Sequence, residues 1–526
     1  MKRPLHAVIA GAPLLLDDEA MQAFIRNGFH VIEPHAMRLP PSFHTAIADK
    51  LSLQFADKET RGEVRASLND ALLQKLPELR ELFSDPAVDG ALTSILGRDW
   101  SLHSHSYVHD RFPTEAVQRE MIHKDGGFAG CYDGLVTRSR WALLLYYPQA
   151  VADDFGPTEV VPGKHYLFEN PLPDPGIRAT PLTSSTPGTL VVTSYELWHR
   201  ATFNRVTANP DRARFMLKFM AGRLSEPAAD DPSWNNASTQ WTSDGPLREA
   251  HTTSWEWHLG RDAAVCKLGE DEVAALCRSL DAADEEERLS AALALGRAGQ
   301  FDALVANLKA KAAKCRRRFL AAADSWKEGD DPPAWPANFY GRRWLEGSAF
   351  VGLAAGGAGG AAAAARLLDR SEEWWVRAAA AQALAEMGGM HAAVAAPQLR
   401  EALRDPDEWV GLAAAEALGC VAPSADGANE EALARALLQP VERQPRWPVQ
   451  GLRGKWAVVA LAKLAGQPGY RNLPAETRET VERALASIAE NNTAGGEVLK
   501  SGPAWWAQLG LKRASGASQT SPGSWF

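Results

Sequence analysis

Short apolar runs separated by turn residues dominate residues 130–220. Four of these runs are Trp141–Tyr147, Glu159–Val161, Thr189–Thr193 and Arg214–Phe219, and Gly, Pro, Asn and Asp separate them. Runs of this length between turn residues are typical of β-strands. Many short strands in succession favour a β-sandwich or a barrel.

A helical pattern precedes the strands. Asp17–Asn27 predicts an amphipathic helix that turns Phe24 and Ile25 inward and ends at a glycine. Phe29–Ile32 then predicts a short strand, and residues 42–97 predict mostly helices. The first half of the chain is therefore expected to combine helices with a β-rich core.

The pattern changes at about residue 266, where Ala, Leu and Arg become frequent with helical spacing. An Ala-rich helix that ends in glycine recurs as Arg288–Gly299, Val376–Gly388, Val410–Gly419 and Trp456–Gly466. Small residues allow helices to approach closely, and glycine caps a helix C-terminus. Repeats of 30–45 residues with this content predict an α-solenoid that resembles HEAT repeats.

The predicted fold class is thus multidomain α+β, with a jelly-roll-like β-domain followed by an all-α repeat domain. Residues 222–264 look irregular and carry several tryptophans, which we expect to pack either against the first domain or between the domains. The predicted division is residues 1–240 for the β-domain, 241–265 for the Trp-rich connection, 266–512 for the repeats and 513–526 for a disordered tail.

Composition narrows the class of protein. The chain has 526 residues and a net charge of −9, which gives no basic face for nucleic acid. Its five cysteines form no C-x-x-C pair, so we expect free thiols and a cytoplasmic protein. No uninterrupted apolar stretch reaches the roughly 20 residues of a membrane helix. Composition therefore predicts neither a nucleic-acid partner nor a membrane protein.

Candidate metal chemistry centres on His123 and Asp125. Side chains two residues apart on a strand point to the same face, so this pair can occupy adjacent corners of a coordination sphere. His199, directly after a further apolar strand, supplies a third donor. Two histidines and one carboxylate form the facial triad of non-haem Fe(II) oxygenases, which leaves positions for a cosubstrate and O2.

The histidine pattern alone is weak evidence, because the chain has thirteen histidines. His103 and His105 lack a carboxylate two residues further on, and the neighbouring Asp110 of His109 would point to the opposite face of a strand. A cupin-like barrel with Mn or Zn and no 2-oxoglutarate is an alternative reading of the same ligands.

A 2-oxoglutarate cosubstrate also needs a cation for its distal carboxylate. Arginine suits this role because its planar fork binds a carboxylate through two hydrogen bonds. Arg212 and Arg214 both follow His199 near the start of the next strand. Since the two have the same parity on a strand, the pattern does not separate them. Arg205 lies on the intervening turn and is less suitable.

Residues 17–220 resemble the phytanoyl-CoA dioxygenase family through six motifs in order. These are Phe24-Ile-Arg-Asn-Gly28-Phe-His-Val-Ile32, His123-Lys-Asp-Gly126, Trp141-Ala-Leu-Leu-Leu-Tyr146, Gly156-Pro-Thr-Glu-Val-Val-Pro-Gly163-Lys-His165, Pro187-Gly-Thr-Leu-Val-Val192 and Trp198-His199 with Asn204 and Arg212. Six ordered motifs arise by chance far less often than one. The resemblance implies a double-stranded β-helix fold.

The resemblance also implies roles for individual residues. It assigns the Fe(II) ligands to His123, Asp125 and His199, the cosubstrate arginine to Arg212, and a place in the cosubstrate pocket to Trp141. The carboxylate ligand argues against the related halogenase chemistry, which needs a small residue there.

One departure from the family concerns the hydroxyl that contacts 2-oxoglutarate. Members often have Gly or Ser after the distal histidine, whereas this chain has Arg200, Ala201 and Thr202. The contact is therefore either absent or supplied by Thr202.

The predicted function is an Fe(II)- and 2-oxoglutarate-dependent dioxygenase that uses O2 to hydroxylate a small organic substrate and releases succinate and CO2. Residues 126–140 predict a lid, with Phe128, Tyr132 and Arg138 towards the substrate. The alternative is an interaction protein, in which the HEAT-like repeats bind a protein partner and the oxygenase domain is degenerate.

Overall fold

The computed structural model describes residues 12–114, 121–125, 137–169, 171, 176–229, 241, 245–324, 348–438, 452–490 and 502–516. The strands are β1 (Phe29–Ile32), β2 (Trp100–Arg111), β3 (Trp141–Tyr147), β4 (Thr158–Val160), β5 (Thr180–Pro181), β6 (Thr189–Ser194), β7 (His199–Ala201) and β8 (Arg214–Arg223). The helices of the first half are α1 (Asp18–Asn27), α2 (Pro41–Gln54), α3 (Arg61–Leu68), α4 (Leu72–Lys75), α5 (Leu79–Phe83), α6 (Pro86–Leu96) and α7 (Arg248–His258).

The β-domain consists of two antiparallel sheets. The large sheet has the strand order β1-β6-β3-β8-β2, and the small sheet has the order β5-β4-β7. Leu143 and Leu145 of β3 join Val160 of β4 in one apolar cluster, so the two sheets face each other. The alternate side chains, such as Leu144 and Tyr146, pack with helices α1–α6 on the outer face of the large sheet. This confirms the prediction of a two-sheet jelly-roll-like domain.

Helix α1 begins and ends where its sequence predicts. Asp17 caps it by accepting a hydrogen bond of 2.8 Å from the Ala20 amide. Gly28 follows the last turn with φ +83°, a left-handed conformation that glycine adopts at low cost. Phe24 and Ile25 are almost fully buried, which fixes the helix to the back of the large sheet.

His44 connects helix α2 to the same sheet and makes stability dependent on pH. The side chain is buried and its Nδ1 shares a hydrogen bond of 2.8 Å with the Tyr146 hydroxyl. Burial lowers the pKa of His44 to about 4, below the value of about 6.5 expected in the unfolded chain.

We therefore expect this contribution to stability to be complete above about pH 6.5 and to be lost as pH falls towards 4, because the unfolded state then binds the additional proton. In His44→Gln, which does not titrate, the melting temperature should fall less between pH 7 and pH 5 than in the wild type. The exposed His35, changed to Gln, is the control. A wild-type pH profile in His44→Gln would contradict the assignment.

The second half of the chain is a stack of helices. These are α8 (Glu270–Ser279), α9 (Glu285–Arg297), α10 (Phe301–Asp324), α11 (Ala349–Ala355), α12 (Gly357–Arg366), α13 (Trp374–Met387), α14 (Gly389–Ala393), α15 (Ala396–Ala402), α16 (Glu408–Gly419), α17 (Ala428–Leu438), α18 (Leu452–Leu464), α19 (Ala475–Glu490) and α20 (Gly502–Ala514). Helices α9, α11, α13, α16, α18 and α20 contact each other in that order and form one row of the solenoid. A Cβ on Gly296 of α9 would lie 1.9 Å from the Gly352 carbonyl oxygen of α11, so this close contact requires glycine. No helix in the described part of the chain is both long and apolar enough to cross a membrane.

The connection between the domains is more regular than its sequence suggests. The expectation of an irregular segment was wrong for Arg248–His258, which form helix α7. The tryptophans explain this helix, because Trp255 is fully buried in the core behind the large sheet. At the other end, Arg513 still belongs to helix α20 and is buried, and residues 517–526 of the predicted tail lie outside the described residues.

The repeat domain contacts the β-domain through buried polar groups of its helices. At the start of α9, the Glu285 carboxylate accepts hydrogen bonds of 2.7 Å from the amides of Phe168 and Glu169. Near the end of α20, Arg513 donates two hydrogen bonds, of 2.7 and 2.8 Å, to Asp99 just before β2.

A third contact involves Glu386 of α13. Its Oε1 accepts hydrogen bonds from the Thr137 amide (2.6 Å) and the Thr137 hydroxyl (2.5 Å), and its Oε2 lies 3.6 Å from Arg140. Arg138 and Arg140 also donate to the Glu386 carbonyl oxygen. The repeats therefore hold the segment that leads into β3.

Candidate metal centre

A backbone bridge brings the two candidate histidines together. The His123 amide donates to the His199 carbonyl over 2.9 Å, and the His199 amide donates to the His123 carbonyl over 2.8 Å. On its other side, His199 of β7 pairs with Val160 of β4. The imidazole rings of the bridged pair lie 4.6 Å apart between their centroids. The small sheet thus presents both rings side by side.

Asp125 completes a three-residue cluster with these histidines. Its Oδ1 lies 3.9 Å from the Nε2 atom of His123 and 3.8 Å from the Nε2 atom of His199. One ligand atom from each of the three residues lies within 4.8 Å of the other two, which is a separation that a single metal ion can bridge. The structure therefore brings together the three residues that the sequence proposed.

The hydrogen bonds of the imidazoles suit metal binding. Nδ1 of His123 lies 3.1 Å from the Met121 carbonyl oxygen, and Nδ1 of His199 lies 2.9 Å from the Leu197 carbonyl oxygen. Since a carbonyl only accepts, each Nδ1 carries a proton, which leaves Nε2 as the ring nitrogen that faces the cluster and can bind a metal. Burial lowers the pKa of His199 more than the nearby Asp125 carboxylate raises it, which favours the neutral ligand form.

Lys218 fixes the carboxylate of the cluster. Its Nζ donates a hydrogen bond of 2.7 Å to Oδ2 of Asp125, so that Oδ1 remains towards the two histidines. Burial acts to raise the pKa of Asp125, but the charge and the hydrogen bond of Lys218 act in the opposite direction, and the pKa lies well below its usual range. The carboxylate is therefore ionised, as a metal ligand must be.

Arg214 lies in the space between the two sheets. It is fully buried at the start of β8, and its Nε donates a hydrogen bond of 2.7 Å to the Gly156 carbonyl. Burial raises the pKa of the neighbouring Tyr147 hydroxyl although the Arg214 charge lowers it. Thr158 is in contact with Tyr147 and stands opposite Ala201 in the pairing of β4 with β7. One guanidinium and two hydroxyls thus share this end of the β-domain.

Arg212 and Thr202 are positioned differently from Arg214. Arg212 is exposed, and its guanidinium carbon lies 4.7 Å from the ring centroid of Phe155. The Thr202 hydroxyl donates a hydrogen bond of 2.6 Å to the Pro157 carbonyl at the end of the small sheet. Neither group is directed towards the cluster by these contacts.

Trp141 lies at the other end of β3 from Tyr147, about 20 Å away along a strand of this length. It is buried on the interior face, opposite Gly222 of β8, and its ring meets the ring of Trp506 edge-on at 5.8 Å. A cavity of about 20 Å³ borders it beside Tyr195. This residue therefore marks the end of the β-domain that faces helix α20.

Arg138 does not have the role that the sequence suggested. It is buried, and it donates to the carbonyl oxygens of Glu386 and Thr253 rather than pointing towards the metal cluster. Two other residues proposed for substrate contact, Phe128 and Tyr132, lie outside the described residues.

Sequence reasoning missed Lys218, Tyr147 and Thr158. The sequence contained a signal that Lys218 belongs to the site. Lys218 is the only charged residue within the apolar stretch Phe215–Ala221, and it has the same strand parity as Arg214. Thr158 belongs to the Gly156–His165 motif, but its position opposite Ala201 depends on strand register, which the motif does not give.

Comparison with known proteins gives the following similarities. Residues 361–450 match the model of HEAT repeats. No curated protein matches the chain. Among solved structures, the non-haem α-ketoglutarate-dependent carbocyclase SnoK from nogalamycin biosynthesis is 18% identical, over 41% of this chain and 88% of that chain, with a TM-score of 0.31.

Two further solved structures are similar in the same way. EctD from S. alaskensis with 2-oxoglutarate and 5-hydroxyectoine is 17% identical, over 41% of this chain and 80% of that chain, with a TM-score of 0.32. CytC3 with Fe(II) and α-ketoglutarate is 14% identical, over 40% of this chain and 79% of that chain, with a TM-score of 0.31.

Proposed function

We propose that this protein is an Fe(II)- and 2-oxoglutarate-dependent oxygenase that hydroxylates a small organic substrate. His123, Asp125 and His199 would hold the iron. The convergence of these three donors, with both imidazoles in the ligand tautomer and the carboxylate held by Lys218, is the observation that carries the proposal. Two nitrogens and one oxygen on one side of an ion suit Fe(II) and leave other positions open.

Arg214 is the residue that we propose for the distal carboxylate of 2-oxoglutarate. It is buried between the sheets, whereas Arg212 is exposed. Thr158 supplies the hydroxyl that the resemblance leads one to expect after the distal histidine, because it stands directly across from Ala201. Side chains of directly opposed residues lie on the same face of a sheet. Tyr147 adds a second hydroxyl beside Arg214.

The reaction consumes 2-oxoglutarate, O2 and a substrate C–H bond and yields succinate, CO2 and an alcohol. Iron, when bound, supplies the activation of O2 that amino-acid side chains do not provide. The side chains of this protein bind, orient and exclude water. Lys218 holds Oδ1 of Asp125 towards the histidines, and Arg214 fixes the cosubstrate by charge. The apolar interior around Leu145 and Met216 keeps water away from the end of the β-domain where Arg214 lies.

Release of succinate tests the proposal. Purified protein with Fe(II), 2-oxoglutarate and O2 should produce succinate above the level of His199→Ala, because most such sites turn over some cosubstrate without substrate. His391→Ala is the control, since His391 lies on the repeat domain and pairs with Asp262. Equal rates in the wild type and His199→Ala would contradict the proposal. Tight binding of Mn or Zn by the wild type, without succinate formation with any of the three metals, would favour the cupin-like alternative, which uses no 2-oxoglutarate.

Lys218 provides a separate prediction about metal affinity. In Lys218→Met, the Asp125 carboxylate loses its hydrogen-bond donor, and partners of this kind contribute roughly 10- to 100-fold in metal affinity. We expect Co(II) to bind the Lys218→Met apoprotein roughly 10- to 100-fold more weakly than the wild-type apoprotein, as measured by calorimetry. Lys218→Arg, which keeps the charge, should lose less. Unchanged Co(II) affinity in Lys218→Met would show that Lys218 does not position Asp125.

A protein partner for the HEAT repeats is a second proposal, which the match over residues 361–450 supports. Such repeats bind partners through extended surfaces. Here part of the repeat domain already contacts the β-domain through Glu285, Glu386 and Arg513. A partner would therefore bind the surface that these contacts leave open.

A further inference from the structure

We infer that helix α20 of the repeat domain forms one wall of the substrate site and that this wall accepts a planar, apolar ring. The inference rests on the proposed function, because it concerns the approach to the proposed iron. It assigns to the repeats a part in substrate selection that does not depend on any protein partner.

The strand register defines two ends of the large sheet. Trp141 of β3 pairs with Gly222 of β8, and Trp100 of β2 pairs with Arg223, so these residues share one end. Arg214 pairs with Arg111 at the opposite end. Lys218, which holds Asp125, lies between the two ends. If 2-oxoglutarate extends from the iron towards Arg214, it fills that end of the space between the sheets. The substrate then approaches the iron from the opposite end, where Trp141 lies.

Aromatic side chains lead from the metal cluster to that end along β2. The Lys218 Nζ lies 5.4 Å from the ring centroid of Tyr107. The ring of Tyr107 lies 4.5 Å from His105, and His105 lies 6.4 Å from His103. The same Lys218 Nζ donates a hydrogen bond of 2.7 Å to Asp125, so the ring of Tyr107 lies beside the metal cluster.

Helix α20 continues this row of rings. The ring of Trp505 lies 5.2 Å from His103, and the ring of Trp506 lies 5.9 Å from His103 and 5.8 Å from Trp141. Trp506 is buried, whereas Trp505 is partly exposed and can offer a face to a ligand. One aromatic wall therefore connects strands β2 and β3 with the repeat domain.

The helix is fixed against the sheet by a partly buried ion pair. Arg513 binds Asp99 through two hydrogen bonds and also donates to the Lys463 carbonyl of α18. Ser225 donates a further hydrogen bond of 2.8 Å to Asp99. A helix held in this way is a rigid wall, and rigid supports make binding sites precise.

The chemistry of the wall indicates the class of ligand. Indole, phenol and imidazole rings present apolar faces that stack with flat rings or contact their edges. Two polar groups near this wall already have partners, since Nδ1 of His105 lies 3.0 Å from Asp70 and Arg513 pairs with Asp99. The wall therefore selects a planar apolar ring rather than a charged or strongly polar group.

Relaxation of indole protons by Mn(II) tests the inference without turnover. Mn(II) would be bound to the full-length protein in place of iron, its binding checked by water-proton relaxation, and indole added as the probe. We expect Mn(II) to broaden the indole resonances in the wild type, and Trp505→Ala to weaken indole binding about 5- to 20-fold. Trp505→Phe should restore most of it. Trp374→Ala is the matched control, because Trp374 is another partly exposed tryptophan, stacked on Trp375 in α13.

The outcomes separate the inference from the proposed function. Failure of Mn(II) to bind the wild type more tightly than His199→Ala would overturn both. Normal Mn(II) binding without broadening of indole would overturn only the inference about the ring. Equal broadening in Trp505→Ala and the wild type would show that helix α20 is not part of the wall.

Discussion

Replacing Arg214 by alanine is expected to raise the KM for 2-oxoglutarate about 100-fold, while Arg212→Ala changes it less than about two-fold. Hydrogen bonds to charged groups contribute roughly 1.5–3 kcal/mol each, and a guanidinium binds a carboxylate through two of them. Arg214 is fully buried between the sheets, whereas Arg212 is exposed beside Phe155. Steady-state succinate formation at varied 2-oxoglutarate measures the difference.

The loss of a buried arginine can also affect folding, so two controls accompany Arg214→Ala. Its melting temperature and its affinity for Co(II) show whether the fold and the metal cluster remain. Arg214→Lys, which keeps a cation at the site, should recover part of the affinity for 2-oxoglutarate. A large increase in KM in Arg212→Ala with little change in Arg214→Ala would reverse the assignment.

Replacing Glu386 by alanine is expected to destabilise the protein by about 3–5 kcal/mol, since removal of one partner from a buried ionic cluster leaves the other charges uncompensated. Glu386 accepts two hydrogen bonds from Thr137 and lies 3.6 Å from Arg140, which is itself buried. Arg140 keeps a second partner in Glu226, which moderates the loss. Urea denaturation, followed by signals from both domains, measures the effect.

A surface glutamate provides the control for this prediction. Glu401→Ala removes an exposed pair with Arg404, and such pairs contribute at most about 1 kcal/mol. Hydrogen exchange at the Thr137 amide gives a local measurement, because this amide should exchange faster in Glu386→Ala. If Glu386→Ala were as stable as Glu401→Ala, the contact would not hold the two domains together.

The metal cluster could be predicted from the sequence because the geometry of two of its three ligands is local. His123 and Asp125 share a face through strand parity, and His199 follows an apolar strand directly. The structure adds the backbone bridge between His123 and His199, which explains why residues so distant in sequence meet.

The choice between Arg212 and Arg214 required the structure. Strand parity predicts the same face for both arginines. They differ only in whether they belong to strand β8, which begins at Arg214 and therefore excludes Arg212. Asn204 influences where β8 begins, because its side-chain amide donates to the carbonyl oxygens of Arg111 and Arg212 across the turn. This long-range pairing leaves no pattern in the sequence near Arg212.

The contact between the domains could not be predicted from the sequence either, although the sequence contains one indication of it. Helix α13 is apolar on nearly all sides, yet it contains Arg377, Gln382 and Glu386, and all three are buried. A charged residue in such a helix must have a buried partner. The partner of Glu386 lies in the β-domain, about 250 residues earlier, which only the folded chain reveals.

The most direct test of the central claim, that His123, Asp125 and His199 bind Fe(II) together with 2-oxoglutarate, is an anaerobic optical titration. Chelation of the Fe(II) by the keto acid produces a visible charge-transfer band without any substrate or O2. We expect the band to appear with 2-oxoglutarate and one equivalent of Fe(II) in the wild type and in His391→Ala, and to be absent in His199→Ala. No band in the wild type, or an equal band in His199→Ala, would contradict the claim.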